Sequence, residues 1–446
     1  MRVYAPGLML HALAERLGTL DMTERMSGVA TLAGAGLVLC AACGVIGRMP
    51  NLVVAPRTFL IFFTLAWVAY AGAVLVGAPL RGPATLGVIL VIGLLTRLLL
   101  LGAAPSLSTD VYRYVWDARV AGAGLDPYAY APVAPQVARL RDATIYPKLN
   151  HPTWHTVYPP LAQAFFRAVY WCAPDSILAM KLALGLIELV AMLALICLLR
   201  TLGLPPGRLA IYAWNPLLLV EIWGSGHLDA LVLATVTAAA LASARGRDGI
   251  AAMLLGLGTL VKLYPAALLL LLPGRRRVSV WIFFGAVLMM GTFATAGIGQ
   301  WPTAPIGRYV RDEYFNPGLV RSFVNEPWLA LAASAVWALL VALRPRPGSL
   351  AVRAVPMVGG LIVLGANVFP WYVVWLVPFL AVAPSVPWIA FTGTVAFAYS
   401  FFLSTPWAIP LWAQLVEVTP LALGAIGMVC GTLRWRPRAR ARADAG

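Results

Sequence analysis

Long apolar runs separated by short polar connections make up most of the chain. Several are shorter than the about 20 residues that a helix needs to cross a hydrocarbon core. They lie near residues 28–47, 58–78, 84–104, 177–199, 208–222, 227–244, 250–272, 278–297, 327–343, 351–368, 371–383, 387–403 and 408–430. The strands of a membrane barrel would instead alternate in polarity. The pattern therefore predicts an all-α polytopic integral membrane protein with about 11–13 transmembrane helices, several of them short or broken.

Two long segments between these runs are rich in aromatic, charged and proline residues. They cover residues 105–157 and 298–326. Connections longer than about 15 residues are more often functional than merely connecting. We therefore expect two large outward-facing loops that carry the chemistry of the protein.

Composition and charge bear on the orientation. The chain is 61% hydrophobic and 11% charged, with a formal net charge of +16 that is carried mostly by arginine. The arginines fall mainly in short connections, and such residues face the cytoplasm in membrane proteins. The charge therefore indicates topology, and no nucleic-acid partner is expected. We expect both termini in the cytoplasm of a bacterium and the large loops outside its inner membrane.

The run 250–272 contains a lysine, Lys262, close to the pair Tyr264-Pro265. The predicted orientation needs this run to begin and end in the cytoplasm, which requires two half-membrane helices broken near Tyr264-Pro265. The alternative is a single span through Lys262. Residues 158–173 similarly allow either a short span or a helix on the membrane surface.

The segment that follows the third apolar run reads STDVYRYVWDAR. On a helix, its residues Asp110, Arg113 and Asp117 lie on one face and present an acid, a base and an acid. A helix cap and ordinary surface ion pairs explain this spacing without chemistry. The position favours a function, because Arg97 lies within the preceding span, where a charge needs a partner. Asp110 is the candidate general base toward a hydroxyl group.

Other ionisable residues lie within or beside apolar runs: Lys181, Glu188, Glu221, His227, Asp229 and Lys262. The ammonium group of Lys262 suits a phosphate, and a lysine side chain that reaches to the interface is the alternative. His227 and Asp229 either belong to a site or satisfy helix ends in a turn.

The second large loop combines guanidinium groups with aromatic side chains. Its candidate residues are Arg308, Arg311 and Arg321. Guanidinium groups bind phosphate, and aromatic faces stack on sugar rings and acyl chains. A basic loop that contacts anionic lipid headgroups is the alternative.

Metal and nucleotide motifs are not evident. His151 and His155 have the spacing of zinc ligands, but a proline between them interrupts the helix that would align them. A divalent cation held by Asp110, Asp117 or Asp126 is chemically possible but unsupported, because no D-x-D spacing occurs. The sequence also lacks a P-loop, a dinucleotide fingerprint and an H-E-x-x-H motif. We therefore expect that no metal or cofactor is required.

Five motifs follow one another along the chain. They are STDVYRYVWDAR with Asp110, YPPL at 158–161, Asn215-Pro216 with GHLD at 226–229, KLYP at 262–265, and PWYVVW at 370–375. In this order they resemble the C-type (GT-C) superfamily of membrane glycosyltransferases. The likeness is closest to bacterial polyprenyl-phosphate-mannose-dependent mannosyltransferases, and it runs from about residue 84 to the C-terminus.

This resemblance implies roles for particular residues. Asp110 would activate an acceptor hydroxyl for an inverting displacement. The donor phosphate would be bound by Lys262, Tyr264, Arg308, Arg311 and Arg321. The substrate cavity would include Arg97, Tyr112, Arg113, Asp117, Tyr158, His227, Asp229, Trp371 and Tyr372. The partners implied are a polyprenyl-phosphate sugar donor with mannose as the leading sugar, a lipid or glycan acceptor, and membrane lipids.

Two other functions share these features. One is a transporter or flippase of a lipid-linked sugar, although no inverted repeat is visible. The other is a glycan polymerase or ligase that uses a lipid-diphosphate donor and does not specifically need Asp110 as a base.

The expected organisation has four parts, in which the catalytic region follows two additional helices. They are a cytoplasmic interfacial segment at 1–27, two N-terminal transmembrane helices at 28–83, a GT-C-like transmembrane catalytic region at 84–433, and a basic cytoplasmic tail at 434–446.

Overall fold

The computed structural model describes residues 22–294, 303–344 and 348–430. The predicted tail 434–446 and most of the interfacial segment 1–27 lie outside these residues. The described chain is built from helices and contains no β-strand, only an isolated bridge between Pro317 and Asn367. The prediction of an all-α polytopic membrane protein is confirmed.

Within the described residues, six helices are long and apolar enough to cross a membrane, by their length and composition. They are Met26–Arg48, which is part of the helix Met22–Arg48, and Pro56–Gly77, Pro83–Leu101, Ile177–Thr201, Val386–Leu403 and Leu411–Met428. Further apolar helices of 10–17 residues are Asp229–Ala244, Asp248–Thr259, Val278–Phe293, Pro327–Leu343, Leu350–Leu364 and Pro370–Val382. These shorter apolar helices agree with the expectation that several membrane helices are short or broken.

The remaining helices lie mostly at the cavity end of the molecule or link longer helices. Three have ten residues or more: Asp110–Gly122, Pro160–Cys172 and Thr303–Asp312. The short segments are Pro135–Leu140, Tyr146–Lys148, Pro206–Leu209, Ala210–Ala213, Pro216–Leu218, Leu219–Gly224, Pro265–Leu269, Pro273–Arg276 and Leu319–Phe323.

The run 250–272 is interrupted, as one of the two sequence interpretations requires. Its first helix ends at Thr259, and a second begins only at Pro265. Proline has no N–H group and its ring clashes with the carbonyl one turn earlier, so a continuous helix through Pro265 is unfavourable. The carbonyl of Leu260, left without a helical donor, accepts a hydrogen bond of 3.0 Å from the backbone N–H of Leu161. The YPPL motif and the broken run are thereby joined.

The helix Pro160–Cys172 has 13 residues. At 1.5 Å per residue it extends about 20 Å, which is less than the thickness of a hydrocarbon core. Its inner face buries Ala162 and Phe166, while Trp171 is exposed. The short, two-faced helix therefore fits the surface alternative better than the full span.

The two N-terminal helices pack into the body of the protein. The Tyr70 hydroxyl group donates to the carbonyl of Ile211 and accepts from the Asn215 side chain. Gly207 permits a close backbone approach, because a Cβ atom at this position would overlap the carbonyl of Gly77. These contacts tie the N-terminal helices to the segment that carries the Asn215-Pro216 motif.

Candidate active site

A cavity of about 860 Å³ lies where the segment 105–158 meets the segments 306–315 and 369–407. Eight of the predicted site residues line it: Asp110, Tyr112, Arg113, Tyr158, Lys262, Tyr264, Trp371 and Tyr372. Apolar side chains also line it, and they include Phe315, Leu331, Phe401, Phe402 and Trp407. The cavity wall therefore combines charged and polar groups with apolar and aromatic side chains.

Asp110 is the first residue of the helix Asp110–Gly122. Negative charge is favourable at a helix N-terminus, where backbone N–H groups are unpaired. One carboxylate oxygen accepts a hydrogen bond of 2.6 Å from Asn150, and the other lies 3.8 Å from Nδ1 of His227. The side chain remains 19% exposed. Asp110 is thus held in place and still open to the cavity.

Arg113 and Asp117 form an ion pair on the inner side of the same helix. The distance from Nε to the carboxylate is 2.8 Å, and both side chains are buried. Asp117 also accepts from Gln163, and Arg113 donates to the carbonyl of Trp154. The pair anchors the loop around Trp154 to the helix, and Asp117 does not contribute to the cavity wall.

Arg119 fixes the next part of the loop. Its guanidinium group binds Asp142 and Asp175 at 2.8 Å each and donates to the carbonyl of Leu140. Partial burial alone would raise the pKa of Asp142, but hydrogen bonds from Arg119 and from nearby backbone N–H groups lower the pKa well below its ordinary value. The loop is therefore braced by charge on the side away from the cavity.

Tyr158 of the YPPL motif is a neutral part of the wall. Burial and the negative charge of Asp110 raise the pKa of its phenol well above the ordinary value. The ring packs edge-to-face on Tyr114 and Phe166. Tyr158 therefore shapes the cavity and stays protonated.

Lys262 stands at the broken run and reaches the cavity with 18% exposure. Its ammonium group contacts both carboxylate oxygens of Asp229, at 2.8 and 3.0 Å. It also lies over the rings of Tyr372 and Trp375, at 4.6 and 5.2 Å from their centroids. Trp375 in turn donates its indole N–H to Asp229 and stacks on Tyr264. The KLYP, GHLD and PWYVVW motifs thus meet around one ammonium group.

The arginines predicted to bind phosphate occupy other places. Arg308 and Arg311 both lie 3.4 Å from Asp312, and Arg308 also covers the Trp154 ring. Arg321 is buried and donates to the backbone carbonyls of Glu313 and Arg311. None of the three arginines belongs to the cavity wall, so the structure does not gather them around Lys262.

Arg97 lies away from the cavity. It is fully buried and forms a two-pronged ion pair with Glu188, with distances of 2.7 and 2.8 Å. Its remaining nitrogen donates to the carbonyls of Gly93 and Ala213, and Trp223 donates to Glu188. The partner that a charged residue in a membrane helix requires is therefore Glu188, which belongs to a second helix of the same protein.

His227 and Asp229 lie directly behind the wall. His227 approaches Asp110, and Asp229 holds Lys262. Neither residue faces the cavity itself, although Leu228 between them does. The two side chains thus support wall residues from the protein interior.

Several residues of the site were not singled out by the sequence. Asn150 holds Asp110, and Glu313 contributes a second carboxylate to the wall. Glu313 is paired with His151 at 2.9 Å. Asn150 lies in a loop without regular structure, so only the three-dimensional arrangement reveals it. His151 was considered in the sequence only as a zinc ligand, and its contact with Glu313 appears only in the structure. Trp375 belongs to a recognised motif, which is the signal that could have identified it.

Among the described residues, Asp110 and Glu313 are the two carboxylates that line the cavity. Glu313 lies 2.9 Å from His151, whereas Asp110 is 3.8 Å from His227 and accepts a hydrogen bond from Asn150. A carboxylate at such a position can accept a proton from a molecule in the cavity. The ammonium group of Lys262 lines the same cavity and can stabilise an anionic leaving group. This combination of a base and a cation suits a displacement reaction on a phosphate-activated substrate.

Comparison with known proteins identifies the family of the chain. A family model described as "Alpha-(1->6)-mannopyranosyltransferase, N-terminal domain" matches residues 22–275, which include the two N-terminal helices. Alpha-(1->6)-mannopyranosyltransferase A of Mycobacterium tuberculosis is 29% identical over 171 residues, or 36% of this chain and 32% of that relative. The match therefore spans about a third of the relative's length. No solved structure matches. Because the family model covers more than half of the chain, the chain belongs to the alpha-(1->6)-mannopyranosyltransferase family.

Proposed function

We propose that the protein is a membrane mannosyltransferase that transfers mannose from a polyprenyl-phosphate donor to a hydroxyl group of a lipid or glycan acceptor. The observation that carries the proposal is the exposed carboxylate of Asp110 in one cavity with the ammonium group of Lys262. Membership in the alpha-(1->6)-mannopyranosyltransferase family supports mannose as the sugar. The name of the relative suggests an α-(1→6) linkage, so the acceptor group would be a primary hydroxyl.

The composition of the wall suits the two parts of such a donor. A polyprenyl chain is entirely apolar and would contact side chains such as Phe315, Leu331 and Phe401. The phosphate and the sugar would lie between Lys262 and Asp110. Aromatic rings such as Trp371 and Tyr372 can stack on the faces of a sugar there.

The proposed reaction is a single displacement with inversion. Asp110 accepts the proton of the acceptor hydroxyl, whose oxygen attacks the anomeric carbon of the donor. The bond from that carbon to the phosphate oxygen breaks, and its electron pair leaves with the phosphate. Lys262 stabilises the added negative charge. The hydroxyl group of Tyr264 is buried, so this residue contributes by packing its ring on Trp375 beside Lys262.

The arginines of the second loop would act before this step. Arg308 and Arg311 are 45% and 63% exposed and can rotate away from Asp312 to meet an anionic headgroup. Arg321 instead holds the loop carbonyls. We infer that Arg308 and Arg311 guide the donor phosphate and that Arg321 contributes through the shape of the loop.

The proposed setting is the inner membrane of a bacterium, with the cavity open to the outer face and both termini in the cytoplasm. Residues 84–433 would form the catalytic region behind the two helices of 28–83. The mechanism uses side chains alone, so activity should persist in EDTA without added metal. Loss of activity in EDTA that Mn²⁺ or Mg²⁺ restores would contradict this part of the proposal.

The decisive experiment uses purified protein in liposomes with radiolabelled polyprenyl-phosphate mannose and a short mannose oligosaccharide. We expect labelled product with a new α-(1→6) linkage, identified by linkage analysis. Movement of the intact labelled lipid across the bilayer without sugar transfer would favour a flippase instead. Sugar transfer only from a lipid-diphosphate donor would favour the polymerase or ligase alternative.

A further inference from the structure

A buried glutamate and a buried histidine stand in line behind Asp110. Nδ1 of His227 lies 3.8 Å from one carboxylate oxygen of Asp110, and Nε2 of the same ring lies 3.3 Å from Oε2 of Glu221. The histidine is 1% exposed and the glutamate is fully buried. The imidazole therefore bridges an exposed carboxylate and a carboxylate that has no access to water.

The imidazole ring is held from several sides. Trp371 stacks on it with a centroid distance of 4.3 Å. The preceding residue, Gly226, has φ +77°, and a Cβ atom there would lie 2.8 Å from the Lys181 side chain. The Tyr399 hydroxyl group binds the other oxygen of Glu221 at 2.6 Å. The direction of each ring nitrogen is thus set by the fold.

The hydrogen bonding between the glutamate and the histidine is incomplete. Neither Oε2 of Glu221 nor Nε2 of His227 has a hydrogen-bond partner among the described residues, and the two atoms face each other. Buried polar atoms without partners are costly, and a buried carboxylate without a cation is more so. A proton on the imidazole would place a positive charge beside this carboxylate. The pair therefore has a place for a proton that the hydrogen bonds of the fold do not use.

We propose that His227, oriented by Glu221, takes over the proton that Asp110 removes from the acceptor hydroxyl. This proposal rests on the proposed mannosyl transfer. Because Nε2 is turned toward Glu221, Nδ1 is the ring nitrogen that faces Asp110 and can accept a proton from it. Catalytic hydrogen bonds are often long without substrate and shorten when the substrate is bound, which accommodates the 3.8 Å separation.

The acceptor O–H bond breaks as the acceptor oxygen forms a new bond to the anomeric carbon. At the same time the bond between that carbon and the phosphate oxygen breaks, and its electron pair leaves on the phosphate. The proton passes through the carboxylate of Asp110 to Nδ1 of His227. Asp110 regains its negative charge, and the imidazolium lies between two carboxylates until water takes the proton after the products leave. His227 is thus a proton acceptor behind the base, and Glu221 is its positioning residue.

The test compares His227→Gln with the wild type in the liposome assay. Glutamine keeps the size and hydrogen bonding of the side chain but cannot take up a proton, so we expect kcat to fall about 10²-fold with an unchanged KM for the donor. A wild-type kcat in this variant would overturn the proposal. If the wild type itself transfers no mannose, the proposed function fails, and the two failures are thereby distinguished.

Chemical rescue separates proton transfer from a structural role. We expect added imidazole to restore activity to His227→Ala about tenfold or more, because the freed space adjoins Asp110. Imidazole should not restore Asp110→Asn, which is the matched control. A folded His227→Ala variant that imidazole does not rescue would overturn the proposal.

Glu221→Gln tests the role of the buried glutamate while the imidazole ring of His227 stays in place. It keeps the shape of the side chain and removes its charge, so kcat should fall about tenfold while the protein elutes as the wild type does in gel filtration. Full activity of folded Glu221→Gln would show that the buried charge does not act through His227.

Discussion

Two groups of buried charges can be compared directly. Arg97 and Glu188 form the first group, a closed pair in which every nitrogen of the guanidinium group donates a hydrogen bond and both side chains are fully buried. Glu221 and His227 form the second group, in which two polar atoms have no partner among the described residues and which ends at the partly exposed carboxylate of Asp110. Both groups lie among apolar helices, yet only the second reaches the cavity.

We infer from this difference that the first group holds the fold and that the second group serves the proposed reaction. A completely bonded pair has no capacity left for another molecule, and its removal leaves a buried charge uncompensated. An incompletely bonded group next to a cavity can change its protonation or its partners without unfolding the protein. Incomplete bonding beside a cavity is therefore a better sign of function than burial of charge alone.

The largest effect should come from Asp110→Asn. The amide keeps the hydrogen-bonding size of the side chain but cannot accept the proton of the acceptor, so we expect kcat to fall by about 10²–10⁴. The assay is mannose transfer in liposomes. Asp126→Asn is the matched control, because Asp126 only caps a turn at the N–H of Tyr128 and an asparagine can do the same. Near-wild-type turnover of Asp110→Asn would refute the proposed base.

The next largest effect should come from opening the closed pair. Glu188→Ala leaves the guanidinium group of Arg97 buried without its counter-ion, which should cost about 3–5 kcal/mol of folding stability. Thermal denaturation in detergent would show it as a lower Tm.

A double replacement of the same pair sharpens this comparison. Arg97→Met with Glu188→Leu removes both charges and should recover most of the stability. Because the pair is remote from the cavity, the refolded double variant should transfer mannose. A stable but inactive double variant would show that Arg97 does belong to the substrate site.

Lys262 shares features with both groups of buried charges. It is paired with Asp229, and it is also partly exposed to the cavity. Lys262→Met should raise the KM for the donor about tenfold or more, since a charged hydrogen bond to phosphate contributes about 1.5–3 kcal/mol. The single replacement leaves the carboxylate of Asp229 buried without its cation. The double variant Lys262→Met with Asp229→Asn removes both charges, so a loss of donor binding can be measured separately from a loss of folding stability. Unchanged donor KM in the double variant would exclude a phosphate contact.

The smallest effect should be a pH-dependent loss of local stability where Arg119 binds Asp142 and Asp175. The pKa of Asp142 is lowered in the folded protein, so its contribution is present above the unfolded value of about 3.9 and is lost as pH falls below it. Proteolysis of the segment 105–157 with an acid-active protease should therefore accelerate between pH 5 and 3, by about a few-fold because Asp142 is partly exposed. Asp142→Asn should remove most of this pH dependence.

The sequence predicted the architecture well because apolar periodicity and proline act locally. The fold class follows from the apolar runs, and the interruption before Pro265 follows from the missing N–H group of proline. The place of Asp110 at the start of a helix beside the cavity also follows from the chain order. These features depend on neighbouring residues, so a single sequence suffices.

The pairing of charges could not be read from the sequence. Arg97 binds a residue 91 positions away, and Glu221 binds the Tyr399 hydroxyl 178 positions away. Such partners are chosen by the packing of helices, for which local spacing carries no signal. The arginines of the second loop illustrate the same point, because composition suggested one cluster, whereas Arg308 and Arg321 have separate surroundings.

The backbone bond between Leu161 and Leu260 also constrains how the chain lengths of relatives can vary. The bond joins the two segments of the chain at Leu161 and Leu260. The positions of Tyr158 and Lys262 in the cavity wall therefore depend on the number of residues between each of them and this bond. An insertion within either short stretch would move one wall of the cavity and leave the opposite wall in place. Insertions and deletions among relatives with this site should therefore fall outside 158–161 and 260–262, and an alignment of the family can be anchored at these two stretches even where identity is low.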